Sequence, residues 1–360
     1  MKAYVTGGTG FIGRHLVRQL LERGYNVTGL ARSEHSAAEL TAMGARFTYG
    51  DITDRESMRE GMTGSDVVFH VAGWYAIGSR DWMIAETINV AGTRNVLRLA
   101  HELGVPKIVY TSTTTVLGDT RGQMVDETFF QAGPFVTEYD RTKWLAHYKV
   151  ALPLIEKGAP IIIVMPGAVY GPGDHSLIGG LMEDFWQGRL PAVFGPEFVH
   201  TYAHVDDVAE GHILAAQKGR TGQSYIITGP AVPLGEIVDF WSMITGKPGL
   251  KLAISARLLR PLAPVIGVLA EKLPLSPMFS QEAAQLLSCT YMAQADKART
   301  ELGWRPRSLQ EGMTETFQWI DRTAPPKQPA VQQKERQIAG VALLLAALVL
   351  FLWLLDWRKK

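Results

Sequence analysis

Cysteine is nearly missing. One thiol, Cys289, in 360 residues excludes an internal disulfide and fits a reducing compartment. No Cys/His cluster has the spacing of a structural metal site, so no metal is expected. An excess of charge is missing too. A net charge of +1 argues neither for nor against nucleic acid, and no nucleic-acid partner is expected. There is no internal repeat and no low-complexity tract. No N-terminal signal is expected, since Met1-Lys2 leads straight into a β-rich run. Apolar residues are plentiful at 46%, enough for a large core, and the length suggests about two domains.

The stretch that organises the chain is Ala3 to Gly13. Ala3-Tyr4-Val5-Thr6 reads as a strand and enters a loop with glycines at 7, 8, 10 and 13. A helical pattern follows at once through Ile12, Leu16, Leu20 and Leu21. Glycine allows the tight turn and lets backbone N–H groups approach a pyrophosphate, while the helix start faces it with partial positive charge. Gly7, Gly10, Phe11, Ile12 and Gly13 are therefore expected on the cofactor. The bare pattern also fits a structural turn.

Further β-rich runs at 25–30, 46–49, 67–71, 107–111, 161–165 and 224–228 alternate with helical patterns such as 85–103 and 139–156. That rhythm predicts an α/β fold: a Rossmann-type doubly wound parallel sheet with a smaller C-terminal substrate lobe. The expected cofactor domain is 1–165, completed by about 203–228. The lobe takes 166–202 and 229–322. Within it, 257–273 reads as a broken amphipathic helix, packed on the lobe or facing a membrane.

A proline-containing polar stretch, 323–336, reads as a flexible linker. Residues 338–355 are then apolar without a break, followed by Trp357, Arg358, Lys359 and Lys360. As a helix this run would be about 27 Å long, close to a bilayer core. The expectation is a transmembrane helix over 337–355, a single C-terminal anchor with the catalytic domain in the cytoplasm.

The second strand ends Leu30-Ala31-Arg32-Ser33. An acidic residue there would hold ribose hydroxyls; its absence beside a guanidinium predicts NADP, with Arg32 on the 2′-phosphate and NAD left open. Asp51-Ile52 follows the third strand. Asp51 is expected at the adenine edge, or else as a cap for the next helix.

Tyr139-Asp-Arg-Thr-Lys143 opens a helix, and the i, i+4 spacing puts phenol and ammonium on one face. The cation is expected to lower the phenol pKa from about 10 toward working pH. Such a phenol exchanges a proton with a carbinol or carbonyl while hydride moves to or from nicotinamide. Tyr110-Thr-Ser-Thr-Thr-Thr115 supplies hydroxyls at the preceding strand end. One of them is expected beside the substrate oxygen, and the rest satisfy backbone groups.

With these residues on the page the chain resembles the extended (atypical) short-chain dehydrogenase/reductases. It is most similar to their dihydroflavonol reductase, 3β-hydroxysteroid dehydrogenase and NAD-dependent epimerase/dehydratase branch. The likeness covers residues 1 to about 320. It rests on Thr6-Gly-Gly-Thr-Gly-Phe-Ile-Gly13, Gly50-Asp-Ile-Thr-Asp54, Val68-Phe-His-Val-Ala-Gly73 and Asn89-Val-Ala-Gly-Thr-Arg-Asn-Val96. Tyr139-x-x-x-Lys143, Pro166-Gly-Ala-Val-Tyr-Gly-Pro-Gly-Asp174 and His204-Val-Asp-Asp-Val-Ala209 complete it.

The resemblance implies that Thr113, Tyr139 and Lys143 are catalytic. It implies that Thr111, Val71, Ala72, Gly73, Pro166 and Val169 line the cofactor together with Tyr139 and Lys143, and that Asn89 braces it. Two departures matter. The hydroxyl-bearing segment continues Val116-Leu117-Gly118 where epimerases carry Val-Tyr-Gly, and His200-Thr-Tyr-Ala203 lacks the arginine they use on nucleotide phosphates. Together with Trp74, Tyr75, Trp82, Phe129, Phe130, Phe185, Trp186 and Phe194, this favours a flat, apolar substrate.

The expected function is NAD(P)-dependent interconversion of a secondary alcohol and a ketone on a dihydroflavonol-, steroid- or terpenoid-like molecule. The alternatives are a nucleotide-sugar epimerase or dehydratase and a non-catalytic, membrane-tethered cofactor-binding scaffold. A homodimer stays open.

Overall fold

The computed structural model describes residues 1–75, 82–190, 192–249, 252–255, 286 and 289–323. Among these, β1 (Lys2–Thr6), β2 (Asn26–Ala31), β3 (Arg46–Tyr49), β4 (Val67–His70), β5 (Ile108–Thr111) and β6 (Ile161–Pro166) form one sheet with Ser224–Ile227. The spatial order is Ser224–Ile227, β6, β5, β4, β1, β2, β3, and every pairing is parallel. This is the expected doubly wound sheet. Its order reverses between β1 and β4, where such sheets take ligands at the strands' carboxyl ends. β4, β5 and β6 are buried along their whole lengths, as a sheet covered on both faces requires.

The chain divides into two compact units. The first holds residues 1–169, 201–230 and 291–309; the second holds 170–200, 231–290 and 310–360. The sequence assigns 291–309 to the lobe, but these residues count with the first unit for clear polar reasons. Val125 and Ala293 form a bridge, the Met292 N–H donates to Thr120 Oγ1 (3.2 Å), and Trp304 Nε1 donates to the Asp207 carbonyl (2.8 Å). Nearby, the edge strand is closed by a side chain: the Ile226 N–H donates to a Glu127 carboxylate oxygen at 2.8 Å. The second unit has its own aromatic core, where Phe185 stands 5.7 Å from Trp241 and 6.2 Å from Phe317.

The two long helical patterns form, each with a π-helical turn inside. The first runs Trp82–Glu86, Thr87–Gly92 and Thr93–Glu102. The second runs Glu138–Trp144, Leu145–Ala151 and Leu152–Glu156. Widening the helix just before Pro153 suits a residue that has no N–H to donate.

The expected membrane anchor is corrected. No helix among the described residues is long and apolar enough to cross a membrane. The longest of them, Leu309–Thr323, has 15 residues. It rises about 22 Å against a hydrocarbon core of about 30 Å. The transmembrane helix over 337–355, the linker from 324 and the 257–273 segment lie outside the described residues. The single-pass membrane localisation is not carried forward.

The glycine turn depends on atoms in closer contact than any side chain permits. A Cβ on Gly13 would sit 1.9 Å from the Gly7 carbonyl oxygen, and one on Gly7 would sit 2.6 Å from the Ala72 nitrogen. Gly7 also has φ +74°, where other residues are strained. Gly13→Ala should therefore cost roughly 3 kcal/mol of stability through backbone displacement, read as a lower denaturant midpoint. An unchanged midpoint would show that the turn opens freely.

Candidate active site

The first unit carries every expected cofactor residue, and all but Tyr139 and Lys143, which lie on the helix Glu138–Trp144, fall within a few positions of a strand's carboxyl end. After β1 come Gly7, Gly10, Phe11, Ile12 and Gly13, with the helix α1 (Phe11–Glu22) starting inside the turn. Gly10 caps α1 without a side chain, and the first turn has no acidic residue. The leading N–H groups of a helix lack intrahelical partners and favour an anion. The Gly10 N–H closes the turn on the Gly7 carbonyl at 3.0 Å. This cradle, which a Cβ at position 7 or 13 would fill, fits a pyrophosphate.

Arg32 follows β2, exposed, with no ion pair among the described residues. Its backbone N–H donates to Ser36 Oγ (3.1 Å), and Ser33 caps the next helix, α2 (Glu34–Ala42), leaving the guanidinium outward. Asp51 and Ile52 follow β3. Asp51 Oδ1 accepts from both the N–H and the hydroxyl of Thr53 at 2.8 Å, so that oxygen serves a local turn. Ile52 is buried. Val71, Ala72 and Gly73 follow β4, and Val71 and Ala72 pass directly against Gly7. Pro166 ends β6 and Val169 comes three residues later, half-buried.

β5 ends at Thr111, and the three residues 111–113 meet the Tyr139 helix. Thr137 starts that helix with a capping box to Asp140, which fixes where its first turn begins. Lys143 Nζ donates to the Thr111 carbonyl at 2.7 Å and lies 5.0 Å from the Tyr110 ring centroid. The Thr113 side chain lies near enough to the Tyr139 phenol to act against the effect of its burial. Asn89 braces the arrangement: its amide donates to Thr142 Oγ1 (3.0 Å) and the Trp74 carbonyl (3.0 Å) and accepts from the Trp74 N–H (2.7 Å).

Electrostatics here are set by burial. Desolvation lowers the Lys143 pKa to about 7. Burial pushes the Tyr139 phenol well above its ordinary value, against which the Thr113 side chain acts. Sequence reasoning expected the cation to dominate Tyr139; desolvation is larger, because both groups sit under the same cover.

Three histidines near this cluster escaped the sequence reading. His70 bonds Thr6 Oγ1 (2.8 Å) and Thr93 Oγ1 (2.9 Å), His147 bonds Ser112 Oγ (2.9 Å), and His212 bonds Thr111 Oγ1 (2.8 Å). A signal existed for one of them: His147 is four residues past Lys143. Tyr75, one of the aromatics expected near the pocket, stands edge-on to Tyr139 with ring centroids 4.9 Å apart. Of the aromatics expected near the pocket, Phe185, Trp186 and Phe194 belong to the second unit, and Phe185 and Phe194 are buried there.

A glycine cradle at the switch point of a parallel sheet, with a half-buried Tyr139 and a buried Lys143 on the helix seated at the end of β5, defines a dinucleotide-dependent oxidoreductase. The family comparison agrees. The model of the NAD dependent epimerase/dehydratase family matches residues 3–228, and the chain belongs to that family, within the extended short-chain dehydrogenase/reductases. It is an NAD(P)-dependent oxidoreductase of that type. Sterol demethylase protein B of Methylococcus capsulatus is 31% identical over 89% of this chain and 98% of its own. A 4-hydroxy-2-methyl-3-oxo-4-farnesyl-3,4-dihydroquinoline-1-oxide ketoreductase of Stigmatella aurantiaca is 32% identical over 87% of this chain and 95% of its own. Among solved structures, gox2253 superposes with a TM-score of 0.78 at 32% identity, over 89% of this chain and 98% of that one.

The low Lys143 pKa carries a sign. The unfolded lysine titrates at 10.5 and the folded one at about 7. Between those values the unfolded chain holds more protons, so Lys143 makes stability rise with pH across that window. Lys143→Met removes this term. Relative to the parent, the variant's melting temperature should therefore be most favourable near pH 7 and lose ground steadily toward pH 10. A difference that stays flat with pH would refute the shift.

Proposed function

We propose that this protein reduces a ketone on a lipophilic small molecule, or oxidises the corresponding secondary alcohol, with NADP as cofactor. The observation that carries the proposal is the 2.7 Å contact of Lys143 Nζ with the Thr111 carbonyl, which seats the helix carrying Tyr139 and Lys143 on the end of β5. When bound, nicotinamide supplies or accepts the hydride. Tyr139, kept protonated at neutral pH by burial, gives its proton to the oxygen as that oxygen gains charge. Thr113 holds the phenol and the same oxygen in register. Lys143, titrating near neutrality, sets the charge beside the phenol and holds the cofactor ribose. Gly7, Gly10 and Gly13 leave room for the pyrophosphate, and the α1 start orients it.

Two features support the lipophilic class. Tyr75, half exposed, presents a flat apolar surface against Tyr139. The relatives named for a sterol and for a farnesylated quinoline point the same way. A panel of hydrophobic ketones and alcohols should give a net change in NADPH absorbance. Tyr139→Phe, which keeps the ring, should then lower turnover by roughly 10² to 10⁴ while NADPH still binds. Near-normal turnover in that variant would remove Tyr139 from the reaction. Interconversion of a UDP-sugar pair without net cofactor change would instead assign an epimerase.

Arg32 supports the choice of NADP. Its guanidinium has no carboxylate to satisfy, and the position holds no acid that would repel a 2′-phosphate. NADPH should bind at least tenfold more tightly than NADH, about 1.4 kcal/mol, and Arg32→Ala should erase most of that gap. Equal affinities in the parent protein would sink the assignment.

A further inference from the structure

Two successive residues at the end of β5 each hold a different residue of the helix that follows. Thr111 offers its carbonyl to Lys143 (2.7 Å), and Ser112 pairs its hydroxyl with His147 Nδ1 (2.9 Å). Thr111 has a second tether. Its hydroxyl meets His212 Nε2 at 2.8 Å, and His212 Nδ1 lies 2.7 Å from the Val208 carbonyl one turn earlier on the helix Val205–Lys218. Since a carbonyl only accepts, His212 carries its proton on Nδ1, and Nε2 accepts from Thr111.

The Lys143 contact reaches a group with an assigned role in the proposed reaction. The two imidazole contacts, at 2.9 and 2.8 Å, do not. Ser112, Thr111, His147 and His212 are all buried. The helix also widens into its π-helical turn at Leu145–Ala151, two residues after Lys143, and His147 lies within that turn. A bond at His147 therefore pins the helix where its register changes.

We infer that His147, through Ser112, and His212, through Thr111, are positioning residues that hold the end of β5 in register with Tyr139 and Lys143. This rests on the proposed roles of those two residues. His147 clamps the helix within its π-helical turn. His212 fixes the peptide whose carbonyl receives the ammonium. Both suit the task because burial keeps them neutral, His147 with a pKa lowered to about 3 and His212 to about 4. A charged imidazole beside the ammonium would oppose it.

The groups around Lys143 are the Thr111 carbonyl, the Tyr110 ring, His70 and His147, with Tyr139 one turn earlier on its own helix. A loosened strand end would let water reach the ammonium, so its titration reports the positioning without any substrate. The full chain, labelled with ¹³C at lysine Cε, is titrated by NMR, and Lys143→Met identifies the resonance. In the parent protein Lys143 should titrate far below the other lysines.

His147→Phe and His212→Phe should each raise that midpoint by at least one pH unit. His147→Gln, which restores a polar partner for Ser112, should return it to within about a third of a unit. Ser112→Ala breaks the same contact with less disturbance and is read if His147→Phe fails to fold. A Lys143 midpoint unchanged in His212→Phe and in Ser112→Ala would overturn the inference. If the midpoint moves as expected but Tyr139→Phe keeps its turnover, the proposed chemistry fails and the positioning stands.

Discussion

A lysine ammonium taken out of water at the end of β5 is the constraint on which the first unit depends. Lys143 is 4% exposed. Burying such a group is costly unless it is hydrogen-bonded, and the Thr111 carbonyl fills that need at 2.7 Å. The carbonyl is available there because β5 ends at Thr111. The strand must therefore stop where the helix arrives. Everything else near the ammonium is neutral: two imidazoles, His70 and His147, with pKa values lowered to about 3, and phenols raised by burial. Burial disfavours each charge separately, and Lys143 further disfavours charge on the two histidines.

The sheet makes this possible. Because all the pairings are parallel, every strand delivers its carboxyl end to one side, and the crossovers start there. The glycine cradle follows β1 and the Tyr–Lys pair sits beyond β5, with β4 between. The cradle is an arrangement of backbone at contact distance: Gly13 over Gly7, and Gly7 against Ala72. Placement of a phosphate relative to a phenol is thus set by strand spacing, before any side chain adjusts.

Much of this was legible in the sequence, for a physical reason. Local signals were strong where one segment supplies the whole motif, as in strand, glycines and helix over 3–22, or Tyr139 and Lys143 on one turn. Arg32 and Asp51 were expected from their place after strands and Val71–Gly73 from the family resemblance, and each follows the carboxyl end of a strand. The Asp51 oxygen bound to Thr53 reflects a local turn that composition does not distinguish from ligand binding. Long-range pairs carried no sequence signal. His212 and Thr111 are 101 residues apart, and Trp304 reaches Asp207 across 97. The π-helical turns also went unseen, because apolar periodicity hardly changes when one residue is added to a turn. The C-terminal apolar run was read from hydropathy alone, and no described helix bears it out.

The Glu127 contact to Ile226 has a consequence for the protein in crowded solution. Ser224–Ile227 is an edge strand of Ser-Tyr-Ile-Ile, the kind of β-prone segment that pairs with strands of other molecules. A carboxylate oxygen accepts an N–H that an incoming strand would use, and Lys297 lies over the neighbouring Tyr225 ring. An incoming chain would have to displace an anion and a cation before making its first backbone bond. At the opposite edge β3, also four residues long, opens with Arg46. Both edges of the sheet thus carry charge where an incoming strand would have to pair.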